Sequence, residues 1–208
     1  MAIGALIRSA FGPFEGVVAH WYRRSFFDLD VLADDLARRH TPRRVLEVGC
    51  GEGALLSALA RRWPEARFTG IDITPRVGRL FDGDRERVTF HCVSAQVEAE
   101  RAPGAYDLVL MCDVLHHVPG DLRLPLLRAV RTLMAPGARF VFKDWAPSTS
   151  VAHAMNVFSD RVLTGDRGTR YLRPAQARQA LTDVFAHVDA EPRHWPPWRN
   201  NYSLEAWA

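Results

Sequence analysis

Lysine is almost missing from this chain: Lys143 is the only one, although Lys and Arg together number 27. The positive charge is therefore carried by arginine, and 24 acids hold the formal net charge to +3. The arginines are scattered, as Arg38-Arg39, Arg43-Arg44, Arg61-Arg62, Arg85 and Arg87, with no single basic stripe. Such a distribution fits solvated helix faces and ends better than a nucleic-acid surface, so no nucleic-acid partner is expected. Cysteine is scarce as well. Cys50, Cys92 and Cys112 lack metal-ligand spacing, and an odd count argues against a disulfide framework. No apolar run approaches the roughly 18 residues of a membrane-spanning helix, so no span is expected. Repeats and low-complexity tracts are absent too. The stretch Met1 to Phe14 is apolar but has no basic flank, and Arg8 and Gly12-Pro13 interrupt it. It is expected to form a helix capping the domain and not a secretory leader, with the cytoplasm as the default location.

What is present describes an ordinary globular domain. The 208 residues, 48% apolar and 25% charged, suffice for one domain with a good core. From 44 to 145 short β-rich runs alternate with helical patterns, which predicts a parallel sheet covered on both faces. The expected strands are 44–48, 67–72, 88–93, 106–111 and 138–144. The expected helices between them are 53–62, a short one near 75–81, one near 95–100, and 121–134. Two helices are expected before residue 40, one including Phe14 to Arg24 and one near Asp30 to Arg39. After Trp145 come an amphipathic helix over 150–164, a polar turn at 165–168, a helix from Pro174 to Thr182, and strands near 185–191 and 201–207.

One stretch organises the rest: Arg44-Val45-Leu46-Glu47-Val48-Gly49-Cys50-Gly51-Glu52-Gly53-Ala54-Leu55. An apolar strand runs into a glycine-dense turn and then a helix. That construction brings backbone N–H groups and bare Cα atoms against a ligand. Gly49, Gly51 and Ala54 also satisfy a dinucleotide fingerprint. Charge separates the alternatives, because a pyrophosphate prefers positive potential at a helix N-terminus. This turn instead carries Glu47 before it and Glu52 within it, which suits a cationic ligand without phosphate.

The run Leu46 to Gly53 closely resembles motif I of the class I S-adenosylmethionine-dependent methyltransferases, an acid followed by G-x-G-x-G. The resemblance covers about residues 40–208 and is sharp only at the motifs. It implies a Rossmann-like α/β fold with a seven-stranded, mostly parallel sheet and a C-terminal antiparallel hairpin. It also implies S-adenosylmethionine as cofactor, held by Glu47, Gly49, Cys50, Gly51 and Gly53. Asp72, at the end of the second strand, would bond the ribose hydroxyls, and Ile73 would pack on the adenine. Family members often carry an acid after the third strand; Ser94 stands there instead, so its hydroxyl or the Ala95 backbone would meet the adenine. Cys112 and Asp113, after the fourth strand, would lie beside the methionyl portion.

The segment Asp113-Val114-Leu115-His116-His117-Val118 resembles the post-strand-four region of small-molecule methyltransferases. His117 is the expected active-site member, because a histidine takes a proton from a hydroxyl or amine near neutral pH. His116 and Asp113 complete the candidate catalytic set. The same three residues could also ligate a metal, but His116 replaces a second acid of metal-binding relatives and leaves too little oxygen for Mg²⁺; no metal is expected. One lysine cannot furnish the two that ribose 2′-O-methyltransferases use, and the Asn/Asp-Pro-Pro-aromatic motif of nucleobase methylation is absent. Lys143 and Asp144 form either an internal ion pair or part of the acceptor pocket. Residues 146–170 are the expected acceptor-binding insertion, with His153, Asp160, Arg161, Asp166 and Arg170 as polar groups, and the Arg199-Asn200-Asn201 cluster nearby. The whole is expected to be one methyltransferase domain: a helical cap over 1–40, the cofactor core over 44–145, the insertion over 146–170, and sheet completion over 171–208. The expected reaction is transfer of a methyl group to an O or N nucleophile of a small-molecule acceptor. A non-methylating or cyclising S-adenosylmethionine protein, a nicotinamide reductase and a nucleic-acid methyltransferase are the alternatives.

Overall fold

The computed structural model of the chain describes residues 28–148, 169–196 and 200–208. The expected helix over Phe14 to Arg24, the one over 150–164, and His153, Asp160, Arg161, Asp166 and Arg199 lie outside the described residues. The first described helix, α1 (Leu29–Arg39), begins where Asp28 accepts a bond from the Asp30 N–H at 3.0 Å. An acid opens it and Arg38 and Arg39 close it, in keeping with the helix dipole. Leu32, Ala33 and Leu36 are its buried stripe.

Then follow β1 (Arg44–Val48), α2 (Ala54–Arg62), β2 (Arg67–Asp72), β3 (Val88–Cys92), α3 (Ala95–Arg101), β4 (Tyr106–Cys112), a 3₁₀ turn (Leu115–His117), α4 (Gly120–Leu133) and β5 (Met134–Trp145). The chain ends with α5 (Pro174–Thr182), β6 (His187–Val188), β7 (Arg193–Trp195) and β8 (Asn201–Trp207). The sheet order is β3-β2-β1-β4-β5-β8-β6, with β7 also on β8. The first five strands are parallel, and β8 runs antiparallel to β5 with Phe140 opposite Ala206 and Trp145 opposite Asn201.

Successive residues of the inner strands feed two different cores, as a sheet covered on both faces requires. Val45, Leu108, Leu110 and Val141 pack with α1 and α2. Leu46, Val48, Val109, Met111, Phe140 and Phe142 pack with α3, α4 and α5. Fully buried side chains such as Leu56, Leu127 and Phe140 stabilise by roughly 1.5–3 kcal/mol each.

Three expectations are corrected. No helix forms near 75–81, where a series of turns stands instead. The backbone there is committed elsewhere: the Gly78 N–H donates to Gly51 O at 3.0 Å and the Leu80 N–H to Glu52 O at 2.9 Å. The strand expected at 185–191 is only two residues long. A second short strand at 193–195 continues the same edge, so the seventh position of the sheet is filled in two pieces. Between them the Asp189 carboxylate accepts the Glu205 N–H at 3.0 Å, so a side chain interrupts the ladder. Finally, β5 begins at Met134, with a register shift between Tyr106 and Leu108.

Candidate active site

Strand order reverses between β1 and β4, the place where open α/β sheets leave a crevice at the carboxyl ends of their strands. Every motif read from the sequence arrives at that edge. The turn after β1 is anchored to β2: the Gly49 and Cys50 N–H groups donate to Ile71 O at 2.8 and 3.0 Å. Asp72 then fastens the crevice floor, accepting the Gly51 N–H at 2.8 Å and the Thr74 N–H at 2.9 Å. The glycines are obligatory for different reasons. Gly49 has φ +73° and a Cβ there would sit 2.3 Å from Val114 Cγ2. Gly51 has φ +50° and open space where its Cβ would be, so a ligand can lie on its main chain.

The two acids of this turn behave differently from the sequence expectation. Glu52 is neutralised within the fold by Arg79, whose Nη2 lies 2.9 Å from Oε1. Glu47 is buried, and its Oε2 has no hydrogen-bond partner. Burial, and then the nearby Asp72 charge, push its carboxyl well above the ordinary range, while a bond from the Leu56 backbone opposes them. The cradle is therefore not lined by a row of carboxylates. It holds one buried acid, pushed toward its neutral form, whose Oε2 has no partner and could accept from a cationic or ammonium-bearing ligand.

Ile73 is 78% exposed, an apolar surface beside the crevice. Ser94 is the N-cap of α3 and accepts the Val97 N–H at 3.4 Å, so its hydroxyl keeps its proton and one lone pair for a ligand. Ala95 is buried beneath it. Cys112 closes β4, and burial, then Glu47, raise its thiol, so it stays protonated.

The ends of β4 and β5 are neighbours, with Cys112 opposite Lys143. Lys143 is 1% exposed, and its Nζ lies 2.9 and 2.7 Å from the two Asp113 oxygens. Lys143 thus pairs with Asp113 and not with Asp144. Asp113 adopts φ +56°, a left-handed conformation that aspartate tolerates, and its own N–H donates to Lys143 O at 2.9 Å.

Asp144 serves His116. His116 Nδ1 lies 2.5 Å from Asp144 Oδ1, which also accepts the Trp145 N–H at 2.7 Å. Both side chains are buried, at 3% and 0% exposure. With Asp144 on Nδ1, the imidazole carries its proton there and Nε2 becomes the basic nitrogen. Tyr171 stacks on His116 with ring centroids 4.8 Å apart, and His117 tilts against its other neighbour position at 4.1 Å. The Arg170 N–H donates to His116 O at 2.8 Å. Asp113, His116 and Asp144 offer atoms within 4.8 Å of one another. The Lys143 ammonium already balances Asp113 there, which disfavours a metal ion.

Sequence reasoning thus missed Asp144 as the partner of His116, and Tyr171 altogether. Only the adjacency of β4 and β5 could have revealed the first; nothing local signals the second.

A family described as "Methyltransferase domain" matches residues 18–200. The chain is 30% identical over 174 residues to the ubiquinone biosynthesis O-methyltransferase of Xanthomonas campestris pv. campestris, covering 78% of this chain and 71% of that protein. Among solved structures, the S-adenosylmethionine-dependent methyltransferase SibL matches with TM-score 0.71 and 24% identity, over 96% of this chain and 60% of that one. The 1,6-didemethyltoxoflavin-N1-methyltransferase of Burkholderia thailandensis matches with TM-score 0.63 and 20% identity, over 97% of this chain and 86% of that one. The chain thus spans less than two thirds of SibL. A matched family domain over most of the chain, a 30% identical relative and a shared fold place this protein among the class I S-adenosylmethionine-dependent methyltransferases.

Proposed function

We propose that this methyltransferase transfers a methyl group from S-adenosylmethionine to an oxygen or nitrogen of a small-molecule acceptor, with His116 as the base. The observation that carries the choice of base is the buried 2.5 Å contact between His116 Nδ1 and Asp144 Oδ1. It favours His116 over His117, because an oriented imidazole with a fixed tautomer is what proton abstraction needs. Relatives that methylate small molecules, one at oxygen and one at nitrogen, support the acceptor class.

Glu47, Gly49, Cys50, Gly51, Gly53, Asp72, Ile73, Ser94, Ala95 and Cys112 are the residues that would hold the cofactor. When bound, it supplies an electrophilic methyl group on a sulfonium that leaves readily. Glu47 presents its orphan Oε2, and Gly51 leaves its Cα face open. Asp72 retains lone pairs beyond those that bind the Gly51 and Thr74 amides, so it can also accept from ribose hydroxyls. His116 takes the acceptor proton, and Asp144 stabilises the resulting imidazolium. Lys143, by binding Asp113, holds the post-β4 loop against β5 and so fixes where His116 begins. Alignment of this kind can lower a barrier by about 7–11 kcal/mol, and a base adds about 10²–10⁴-fold. Both ends of the 146–170 stretch are tied beside the site, Ala146 N–H to Asn200 O at 2.7 Å and Arg170 N–H to His116 O. That placement supports a role for the stretch in acceptor binding.

The test uses methyl-labelled cofactor with a panel of phenolic, hydroxylated and heterocyclic amine acceptors. Once an acceptor is found, Asp144→Asn and His116→Gln are expected to lower kcat about 10²–10⁴-fold, with cofactor affinity unchanged by calorimetry. His117→Gln is expected to do far less. Full activity in His116→Gln refutes the assignment.

A further inference from the structure

We propose that a pocket at the amino-terminal edge of β1, β2 and β3 is a binding site for a small phosphate-bearing anion, held between Arg44 and Arg67. The two arginines stand directly opposite each other in the β1–β2 ladder. Like charges at opposed positions of neighbouring strands repel, and an anion between them removes the repulsion.

Several arginines of the described fold have a carboxylate: Arg62 has Asp30 and Asp34, Arg79 has Glu52, and Arg87 has Asp84. Among the described residues, no ion pair joins Arg44 or Arg67 to any acid. The acid nearest in the ladder, Asp107, spends its two oxygens on the Arg43 and Arg44 backbone N–H groups, at 2.9 Å each. Arg87 turns away, donating to the carbonyls of Ala60, Trp63 and Ala66.

Arg44 and Arg67 line a cavity of about 190 Å³, to which Thr69 and Thr89 also contribute. The Tyr106 hydroxyl in its wall is already committed, donating to Glu98 Oε1 at 2.7 Å, and Thr69 bonds the same hydroxyl. Thr89 and the two guanidinium groups are therefore the donors left for a ligand. The volume falls below the roughly 300–1,000 Å³ of drug-sized ligand sites, which selects a single phosphoryl group or a small phosphorylated molecule over a whole nucleotide. Glu86 also lines the cavity and opposes any anion there, so the two arginines have to outweigh it. Planar guanidinium donors match phosphate oxygens two at a time, which a lone ammonium cannot do. Arg44 and Val48 bound β1, so the pocket lies roughly 16 Å along the strand from the cofactor turn. The two sites occupy opposite ends of one sheet.

The experiment is calorimetric titration of the full chain with inorganic phosphate at constant ionic strength, with chloride as the competing control. Saturable phosphate binding is expected in the native protein, about 10–100-fold weaker in Arg44→Gln and in Arg67→Gln. Arg61→Gln, an exposed arginine on α2, is expected to bind phosphate as the native protein does. Arg44 and Arg67 are exposed, so the single variants are expected to keep native affinity for S-adenosylhomocysteine, which reports an intact fold. No saturable binding in the native protein, or undiminished binding in folded Arg44→Gln and Arg67→Gln, overturns the proposal.

Discussion

Glu47 is where function opposes stability, and replacing it by glutamine makes the conflict measurable. In the folded chain the carboxyl is buried, its Oε2 has no partner, and Asp72 adds a second negative charge nearby. Its pKa is therefore raised well above the ordinary value, which is about 4.3 in an unfolded chain. Below that value both states are protonated and nothing is lost. Above it the unfolded chain releases the proton while the folded one keeps it, so folding becomes less favourable as pH rises. The slope is about 1.4 kcal/mol per pH unit, up to the folded-state pKa. Glu47→Gln keeps the shape and removes the titration. Urea unfolding of both proteins from pH 4.5 to 8.5, without cofactor, is expected to give curves that start together and diverge, with the glutamine variant more stable at the upper end. Cofactor affinity moves the other way. Binding a cation beside Glu47 favours loss of its proton, so native affinity is expected to tighten with pH. The variant is expected to bind about 10–100-fold more weakly, with no such slope. Stability differences that stay constant across the pH range, or a glutamine variant less stable than native at pH 8, refute the reasoning.

Gly49→Ala forces a Cβ against Val114 at a positive φ and is expected to cost about 2–4 kcal/mol in denaturant unfolding. Gly51→Ala meets no atom of the protein, so it is expected to cost only about 1–2 kcal/mol of stability while abolishing cofactor binding by calorimetry. Asp113→Ala strips the buried Lys143 ammonium of its carboxylate. Because Asp113 is 45% exposed, the loss is expected to be about 2–3 kcal/mol, below the 3–5 of a wholly buried pair, and Asp113→Ala with Lys143→Met is expected to recover most of it.

The cofactor half of the site is legible in the sequence because it is local. Val45 to Val48 is an apolar β run, Gly49 to Gly53 must turn, and Leu55 onward has helical spacing, so strand, turn and helix follow from about a dozen neighbouring residues. Asp72 could be placed by the same logic, at the end of the next apolar run. The class of fold was also readable, since alternating strands and helices leave few ways to cover a parallel sheet.

What the sequence could not decide depends on residues far apart in the chain. His116 and Asp144 are 28 positions apart and meet only because β4 and β5 are neighbours. The local pattern puts His117 forward as the active-site member; the carboxylate at Nδ1, which supports His116 instead, comes from a distant strand. Glu52 and Glu47 look alike as negative charges in the sequence, yet one is paired by Arg79 across 27 positions and the other is buried with its carboxyl pushed up. The turns at 75–80 replace a helix because the backbone of Gly78 and Leu80 bonds to the glycine turn instead of to itself. Local propensity sets which elements form, but charge state and catalytic pairing follow from burial and distance, and those exist only once the chain has folded.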